Sequence, residues 1–279
     1  VQRAGSEIMN YAVRTERANT EKYVESASKG MKDCELTSYK DVLDSKDCSK
    51  VVFMGVLRGT HLVYKWAEKS KKDFYYIDRP YWGESRATPY WMRCVKNQHV
   101  KTFVDHRPDD RFKQQFKDEI KPFHKNGKYV LVVPPSHAMA EMFGGQDWLD
   151  NTMKTLKENT DRQLVVREKP YNPEAVIDAS GKMLPGKSAN NQPPKPFEWD
   201  KVHAIVTFNS SISIKALSNG VPAFANFDNP CMPVCEQDFS KIETPRYEDP
   251  RPVFNSLAYG QFTQQEFRNG YYMEILDGR

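Results

Sequence analysis

Short apolar runs alternate with stretches of helical periodicity in the first eighty residues, and this alternation restricts the possible folds more than any other feature. The runs Ile8–Val13, Val51–Leu57 and Phe74–Ile77 are rich in β-branched and aromatic residues and have the length of buried strands. Helical patterns over Glu21–Lys32 and His61–Lys69 separate them. A strand, a helix and a second strand at this spacing form a parallel βαβ unit. The sequence therefore predicts a parallel sheet covered by helices.

A second series of the same kind follows later in the chain. Its expected elements are, in order, the strand Tyr129–Val133, the helix Trp148–Lys157, the strands Gln163–Val166 and Ala204–Phe208, the helix Ser211–Ser218 and the strand Pro222–Asn226. Two such series within 279 residues fit two modest domains. We therefore predict an α/β fold in which two Rossmann-like domains face a cleft.

The domain boundaries follow from the segments that lack clean periodicity. We predict an N-terminal domain over 1–125 and a second domain over 126–253, with a largely helical segment at 254–279 that packs back on the first. Residues 80–125 are expected to form loops around the cleft. The proline-rich insertion at 170–199 is interpreted either as a lid or as a disordered surface loop.

Composition narrows the class of protein. No run approaches the roughly 20 apolar residues of a membrane-spanning helix, so the sequence predicts a soluble, cytoplasmic protein without a membrane partner. The formal charge of +4 is compatible with a polyanionic partner but does not establish one. The cysteines are odd in number and lack the spacing of a zinc site, so we expect free thiols and no metal. They are Cys34, Cys48, Cys94, Cys231 and Cys235.

The motif most suggestive of chemistry is the polar segment Asn209-Ser210-Ser211, which lies between a predicted strand and a predicted helix. Backbone N–H groups and serine hydroxyls meet at such a junction, and a phosphate fits there. The alternative is an ordinary Asn/Ser helix cap.

Other strand ends carry candidate contacts for the same ligand. Arg167 and Lys169 follow a predicted strand on the side where open α/β sheets bind ligands, although an ordinary surface pair would have the same pattern. Ser136 follows the strand Tyr129–Val133 and supplies a further hydroxyl.

The first domain offers acceptor-side and catalytic candidates. Arg58 and Thr60 lie in a glycine-containing strand-to-helix turn, where they could contact an anionic acceptor. Asp78 ends a predicted strand among aromatic residues and is the first candidate for a general base. The alternative is that Asp78 pairs with Arg79, itself a candidate acceptor contact, or caps a turn. His99 is the reserve base, because a neutral imidazole accepts a proton near pH 7.

The second half of the chain resembles the nucleotide-sugar site of GT-B glycosyltransferases related to capsule polysaccharide synthesis enzymes. The shared pattern is a strand, Asn-Ser-Ser, a helix carrying Ala216-Leu217, then Gly220-x-Pro222 and another strand. The resemblance implies that Ser210 and Ser211 hold the phosphates of a nucleotide sugar such as a UDP-sugar, with no separate cofactor. An acidic residue that many of these enzymes use for the ribose or sugar is not evident.

Three further segments resemble a group of bacteriophage-encoded glycosyltransferases: Asp73–Trp82, Arg162–Pro170 and Ser256–Thr263. This resemblance implies that the acceptor is a hydroxymethylated pyrimidine in phage DNA, that duplex DNA is a partner, and that the protein works in the host cytoplasm. A surface-polysaccharide glycosyltransferase and an inactive nucleotide-binding protein remain the alternatives.

Overall fold

A computed structural model describes residues 9–15, 18–45, 48–82, 90–167 and 198–278. The chain divides into two compact units. Unit 1 comprises residues 1–99 and 259–279, and unit 2 comprises residues 100–258. Lys169 and residues 170–197 of the expected insertion lie outside the described residues.

The described residues form strands in both units. They are β1 Met9–Val13, β2 Cys34–Thr37, β3 Cys48–Met54, β4 Asp73–Asp78, β5 Trp91–Lys96, β6 Tyr129–Val133, β7 Gln163–Val166, β8 Val202–Thr207, β9 Ala223–Ala225 and β10 Gln261–Thr263.

The described residues of both units also form α-helices. They are α1 Ala18–Gly30, α2 Tyr39–Asp44, α3 Thr60–Lys69, α4 Asp110–Gln115, α5 His137–Phe143, α6 Trp148–Asn159, α7 Ile212–Ser218, α8 Arg251–Ala258, α9 Gln264–Arg268 and α10 Tyr271–Leu276. None of them has the length and apolar character of a membrane span.

Unit 1 contains one six-stranded sheet in the order β10-β5-β4-β3-β1-β2. The strands β1 to β4 are parallel, as the βαβ pattern predicts. β5 pairs antiparallel with β4, and β10 pairs antiparallel with β5. The sheet is thus a mixed one with a parallel core.

Both faces of the unit 1 sheet are covered by helices. Consecutive residues of a strand point to opposite faces, so each strand contributes apolar side chains to both. Val52 and Ile77 pack against one face with Tyr23 of α1 and Phe267 of α9. On the other face, Phe53 and Phe74 contact Tyr64 of α3 through ring pairs at 5.1–6.3 Å. Burial of each such large side chain stabilises the fold by roughly 1.5–3 kcal/mol.

The C-terminal segment of unit 1 is less helical than the sequence predicts. A largely helical stretch is expected over Phe254–Leu276, whereas the structure inserts the edge strand β10 and breaks the rest into short helices. Contact between α1 and α9 is very close: a Cβ on Gly30 would lie 2.1 Å from the carbonyl oxygen of Phe267. Glycine is therefore required at this point of the interface.

Unit 2 contains a fully parallel four-stranded sheet in the order β7-β6-β8-β9. Val130, Val206 and Phe224 form its core with Trp148 and Leu156 of α6. Helix α7 contacts β8 and β9. All four predicted strands of this unit are confirmed, within two residues at each end.

Residues 100–125 belong to unit 2, so the observed division of the chain differs from the expected boundary at residue 125. Helix α4 packs against α8, with Phe112 and Phe254 rings 5.8 Å apart, and the Gln115 side chain donates to the Ala258 carbonyl at 2.9 Å. The backbone N–H of Lys121 donates to the carbonyl of Ser218 at 2.9 Å. These contacts hold the segment to unit 2.

Candidate functional site

The unit 2 sheet has a topological switch point between β6 and β8. The chain leaves β6 through α5 and α6 to reach β7 on one side, and it leaves β8 through α7 to reach β9 on the other side. Open parallel sheets bind ligands in the crevice that such a reversal leaves outside the carboxyl ends of the strands. Pro134-Pro135-Ser136 and Phe208-Asn209-Ser210 occupy this position.

Thr207 ties the two strand ends together. Its side chain is fully buried, and its hydroxyl donates to the Val133 carbonyl at 2.9 Å. The same oxygen accepts a long hydrogen bond from the backbone N–H of Ser210 at 3.4 Å. The hydroxyl of Thr207 is thus used to shape the loop that follows β8.

Asn229 fixes the other side of this loop, and the sequence reasoning did not identify it. Its amide nitrogen donates to the Ser210 carbonyl at 3.1 Å. Its amide oxygen accepts from the Ser213 hydroxyl at 2.8 Å and from the Cys231 backbone N–H at 2.9 Å. Asn229 is fully buried, so these bonds form away from water. The dipeptide Asn229-Pro230 indicates a turn, but no local pattern indicates that Asn229 bonds to Ser210.

Two side chains of the predicted phosphate site remain available for a ligand. Ser211 is exposed and is the N-cap residue of α7, yet its side chain makes no capping hydrogen bond. The amide nitrogen of Asn209 is buried and has no hydrogen-bond partner among the described residues. Ser210 differs, because its hydroxyl accepts from the Ile212 N–H at 3.3 Å. The Ser211 side chain therefore does not cap α7, whereas the Ser210 hydroxyl bonds to the first N–H of the helix, so the alternative of an Asn/Ser helix cap stays open for Ser210.

The helix after this loop is short. α7 has seven residues, so it provides only a small macrodipole. The N–H and side-chain groups of the loop therefore contribute more than the helix to the binding of an anion.

The neighbouring strand ends place two more predicted residues at the same edge of the sheet. Ser136 is the N-cap residue of α5 and makes no side-chain capping bond. Arg167 directly follows β7, where its backbone N–H donates to the Val132 carbonyl at 2.9 Å. Because β7, β6 and β8 are parallel neighbours, Arg167, Ser136 and Ser210 follow adjacent carboxyl ends.

In unit 1, Asp78 forms an ion pair with Arg93 rather than with Arg79. A carboxylate oxygen of Asp78 lies 2.8 Å from the Arg93 guanidinium and accepts from the Tyr76 hydroxyl at 2.8 Å. Arg79 contributes its backbone N–H, at 2.8 Å. Burial raises the pKa of Asp78, but the charge of Arg93 and the hydrogen bonds from Arg93 and the Arg79 N–H together outweigh it, and the net pKa falls to about 2. The carboxylate is ionised at neutral pH and is a weak base.

His99, the reserve base, is buried beside Tyr76, with the two rings 5.2 Å apart. Burial first, and then the charge of Arg93, lower the pKa of His99 to about 3. The imidazole is therefore neutral over the physiological range.

The turn that carries Arg58 and Thr60 is built around left-handed backbone. Arg58 has φ of 57° and Gly59 has φ of 93°, a region that side chains with a Cβ rarely adopt. The Thr60 hydroxyl donates to the Leu57 carbonyl at 2.7 Å, and Thr60 is only 4% exposed. Its hydroxyl hydrogen is thus used in closing the turn.

The cysteines of the described residues are free thiols, and the described part of the chain has no group of three or more His, Cys, Asp or Glu side chains arranged to hold a metal ion.

The solved structures that this chain resembles include two from one organism, both at low identity. One, described as Thermosulfurimonas dismutans KpsC, beta Kdo 2,4 transferase, has a TM-score of 0.47 and 12% identity, and the alignment covers 90% of each chain. The other, described as Thermosulfurimonas dismutans KpsC, beta Kdo 2,7 transferase, has a TM-score of 0.47 and 9% identity, and covers 96% of this chain and 99% of that one. No family model and no curated protein matches the chain. The scores and identities are low, so neither likeness assigns a family or a function.

Proposed function

We propose that the chain is a glycosyltransferase that moves a sugar from a nucleotide-activated donor to a hydroxyl acceptor. The observation that carries the proposal is the arrangement at the β6/β8 switch point, where the buried side chains of Thr207 and Asn229 hold the Asn209-Ser210-Ser211 loop in place. A loop fixed in this way presents its polar groups to a ligand without a large ordering cost.

In this proposal the loop binds the phosphates of a nucleotide sugar such as a UDP-sugar. The exposed Ser211 hydroxyl and the buried Asn209 amide nitrogen are hydrogen-bond donors, which suit phosphate oxygens. Ser136 and Arg167, on the neighbouring strand ends, add a hydroxyl and a positive charge. We assign Arg167, together with Lys169, the role of offsetting the charge of the leaving phosphate.

On the acceptor side, Arg58, Thr60 and Arg79 are the proposed contacts, and Asp78 is the proposed base. The Asp78–Arg93 ion pair sets a condition on that role. Since the pKa of Asp78 is about 2, the carboxylate accepts a proton effectively only if its contact with Arg93 loosens when the acceptor binds. His99 is the proposed substitute. Its imidazole is neutral and in no ion pair, but with a pKa of about 3 it too accepts a proton effectively only if its buried surroundings change when the acceptor binds.

The acceptor that we propose is a hydroxymethylated pyrimidine in phage DNA, with duplex DNA as partner. The resemblance of three sequence segments to phage enzymes and the net charge of +4 support it. This part of the proposal is separate from the transferase chemistry and has its own test.

The deciding experiment incubates the protein with a panel of nucleotide sugars and either hydroxymethylated duplex DNA or a set of oligosaccharide acceptors, and measures the products by mass spectrometry. A sugar mass added to the DNA supports the full proposal. A sugar added only to the oligosaccharides makes the chain a polysaccharide glycosyltransferase. Nucleotide binding without any transfer makes it an inactive nucleotide-binding protein.

A matched pair of serine variants links any activity to the loop. Ser211→Ala removes an exposed hydroxyl at the proposed phosphate site, whereas Ser240→Ala removes an exposed hydroxyl that only contacts Asp238. The proposal requires that the first variant lose transfer and that the second keep it.

A further inference from the structure

The segment that follows β9 packs against the loop that follows β8. The two strands are parallel neighbours, so both segments leave the unit 2 sheet at its carboxyl edge. The rings of Phe208 and Phe227 stack face to face, with their centroids 4.4 Å apart and 6° between their planes. Two residues further along each segment, the Asn229 amide nitrogen donates to the Ser210 carbonyl at 3.1 Å. The two segments are therefore held side by side.

Asp228 lies between these two contacts, at the level of Asn209 in the loop. Its neighbour Asn229 is fully buried, whereas Asp228 itself is exposed. The Asp228 carboxylate forms no hydrogen bond or ion pair with the described part of the chain. Helix α7, which follows the loop, carries no acidic residue. Asp228 therefore provides a carboxylate beside the proposed phosphate site that the fold does not use.

The order of elements around Asp228 is the one that nucleotide-binding sheets use to recognise ribose. In those sheets a phosphate loop follows one strand, a helix leads to the adjacent parallel strand, and an acidic residue about 20 residues on accepts hydrogen bonds from the ribose. In unit 2 the order is β8, the loop, α7 and β9, and Asp228 comes nineteen residues after Asn209. The loop lacks the glycines of that motif, so the correspondence lies in the position of the acid.

The charge of Asp228 determines which part of a nucleotide it suits. A carboxylate accepts hydrogen bonds from hydroxyl groups and repels phosphate oxygens. The proposed phosphate contacts are instead a hydroxyl and a cation, Ser211 and Arg167. Asp228 is therefore suited to the neutral ribose that adjoins the phosphates rather than to the phosphates themselves.

We propose that Asp228 accepts hydrogen bonds from the ribose hydroxyls of the nucleotide whose phosphates bind the loop after β8. The proposal rests on the proposed function, because it takes the phosphate site of the donor as given. It adds a specificity that the phosphate contacts do not supply. The site then selects a ribonucleotide over a nucleotide that lacks the 2′ and 3′ hydroxyls.

The test is isothermal titration calorimetry of the protein with uridine diphosphate, 2′,3′-dideoxyuridine diphosphate and inorganic pyrophosphate. We expect the wild type to bind uridine diphosphate roughly tenfold more tightly than the dideoxy compound, because the latter loses a hydrogen bond to a charged group. Asp228→Ala should bring the ratio of the two affinities close to one without weakening the binding of pyrophosphate. Equal affinity of the wild type for the two nucleotides overturns the proposal, and so does a ratio that Asp228→Ala leaves unchanged.

Asp161→Ala is the matched control. Asp161 is another exposed aspartate of unit 2, but it precedes β7 and so lies at the amino edge of the sheet, opposite the proposed site. The ratio of affinities should not change in this variant. Both aspartates are exposed, so we expect the melting temperatures of the two variants to equal that of the wild type, and this measurement separates a binding defect from a folding defect.

The same titrations distinguish failure of this proposal from failure of the proposed function. If the wild type binds neither uridine diphosphate nor pyrophosphate, the phosphate site is wrong and the ribose contact falls with it. If both ligands bind and Ser211→Ala weakens both, the phosphate site stands. A preference for uridine diphosphate that persists in Asp228→Ala then overturns the ribose contact alone.

Discussion

Asp78 and Arg93 lie directly opposite each other in the antiparallel β4–β5 ladder, and their side chains form an ion pair at 2.8 Å. The guanidinium also lies over the rings of Tyr76 and Tyr81, at 5.9 and 5.5 Å. Arg93 is 9% exposed, so its charge depends on this carboxylate for compensation. The pair is thus part of the structure of unit 1 as well as a candidate for its chemistry.

The first prediction is that Asp78→Asn destabilises unit 1. The substitution leaves the Arg93 guanidinium buried without its counter-charge, which typically costs about 3–5 kcal/mol. Urea unfolding followed by tryptophan fluorescence measures the change in the free energy of unfolding. The control is the double variant Asp78→Leu with Arg93→Leu, which removes both charges and should recover much of the loss. If Asp78→Asn is as stable as the wild type, the ion pair has no structural role.

Acid sensitivity is the second prediction. The pKa of Asp78 is about 2 in the folded protein, because burial, which raises it, is outweighed by the Arg93 charge together with the hydrogen bonds from Arg93 and the Arg79 N–H. It is roughly 3.9 in an unfolded chain. A carboxyl whose folded pKa is lowered stabilises the fold above the unfolded pKa, and this stability is lost as the pH falls toward the folded pKa. We therefore expect a loss of roughly 2 kcal/mol between about pH 4 and pH 2 from this group alone.

The pH dependence of stability in wild type and Asp78→Asn isolates this contribution. Asp105 of unit 2, held by Lys101, Ser256 and Arg107, also has a pKa of about 2, so part of the acid transition remains in the variant. The difference between the two curves belongs to Asp78 and should shrink below about pH 4. A difference that stays constant down to pH 2 would contradict the lowered pKa.

The sequence predicted the parallel strands other than β2, because each of these is a dense run of β-branched and aromatic residues. It did not predict β2, β5 and β10, which are short or carry charged residues, as Arg93 and Lys96 do in β5. Missing β5 had a direct consequence for the site. Arg93 lies fifteen residues after Asp78, and only the antiparallel pairing of their strands brings them together. The sequence pattern around Asp78 therefore does not indicate its main partner.

In the same way, the sequence does not predict the hydrogen bonds that hold the loop after β8. The Asn-Ser-Ser segment was recognisable as a polar junction between strand and helix, but the group that holds it, Asn229, lies nineteen residues further along the chain. No local pattern specifies that contact, because it arises from the packing of the segment after β9 against the loop. Local propensity identified the position of the loop, and tertiary structure determines its rigidity.

The third prediction concerns that rigidity. Asn229→Leu keeps a similar volume but removes the bonds that the amide makes with the Ser210 carbonyl, the Ser213 hydroxyl and the Cys231 N–H. The Ser213 hydroxyl and the Ser210 carbonyl keep their bond to each other at 3.2 Å. Loss of three hydrogen bonds at about 0.5–1.5 kcal/mol each, with the buried Cys231 N–H left unsatisfied, predicts a loss of roughly 3 kcal/mol in the free energy of unfolding. Chemical denaturation measures it. Asn219→Leu is the control, since Asn219 bonds only at the end of α7 and should lose much less.

The fourth prediction uses two hydroxyls that differ in their partners. Thr207→Val removes a buried hydroxyl that donates to the Val133 carbonyl, whereas the Thr152 hydroxyl makes no hydrogen bond within the described residues and is not one of their buried unpartnered atoms. We expect Thr207→Val to lower the free energy of unfolding by about 1–3 kcal/mol and Thr152→Val to leave it unchanged or raise it. Differential scanning calorimetry of both variants decides this. Equal destabilisation by the two would mean that Thr152 has a partner in the folded chain.

The last prediction is that Ser211→Ala and Arg167→Ala each weaken binding of a nucleoside diphosphate without unfolding unit 2. Ser211 is exposed, and its side chain makes no capping bond, so its removal leaves no buried group unsatisfied. A hydrogen bond to a charged phosphate is worth roughly 1.5–3 kcal/mol, which corresponds to an affinity loss of about ten- to a hundredfold. Isothermal titration calorimetry with uridine and cytidine diphosphates gives the affinities, and circular dichroism monitors the fold. Ser210→Ala is the informative comparison: its hydroxyl already accepts from the Ile212 N–H, so we expect a smaller effect on affinity than in Ser211→Ala. If the three variants bind as tightly as the wild type, the loop after β8 does not hold the donor, and the β6/β8 switch point loses its proposed role.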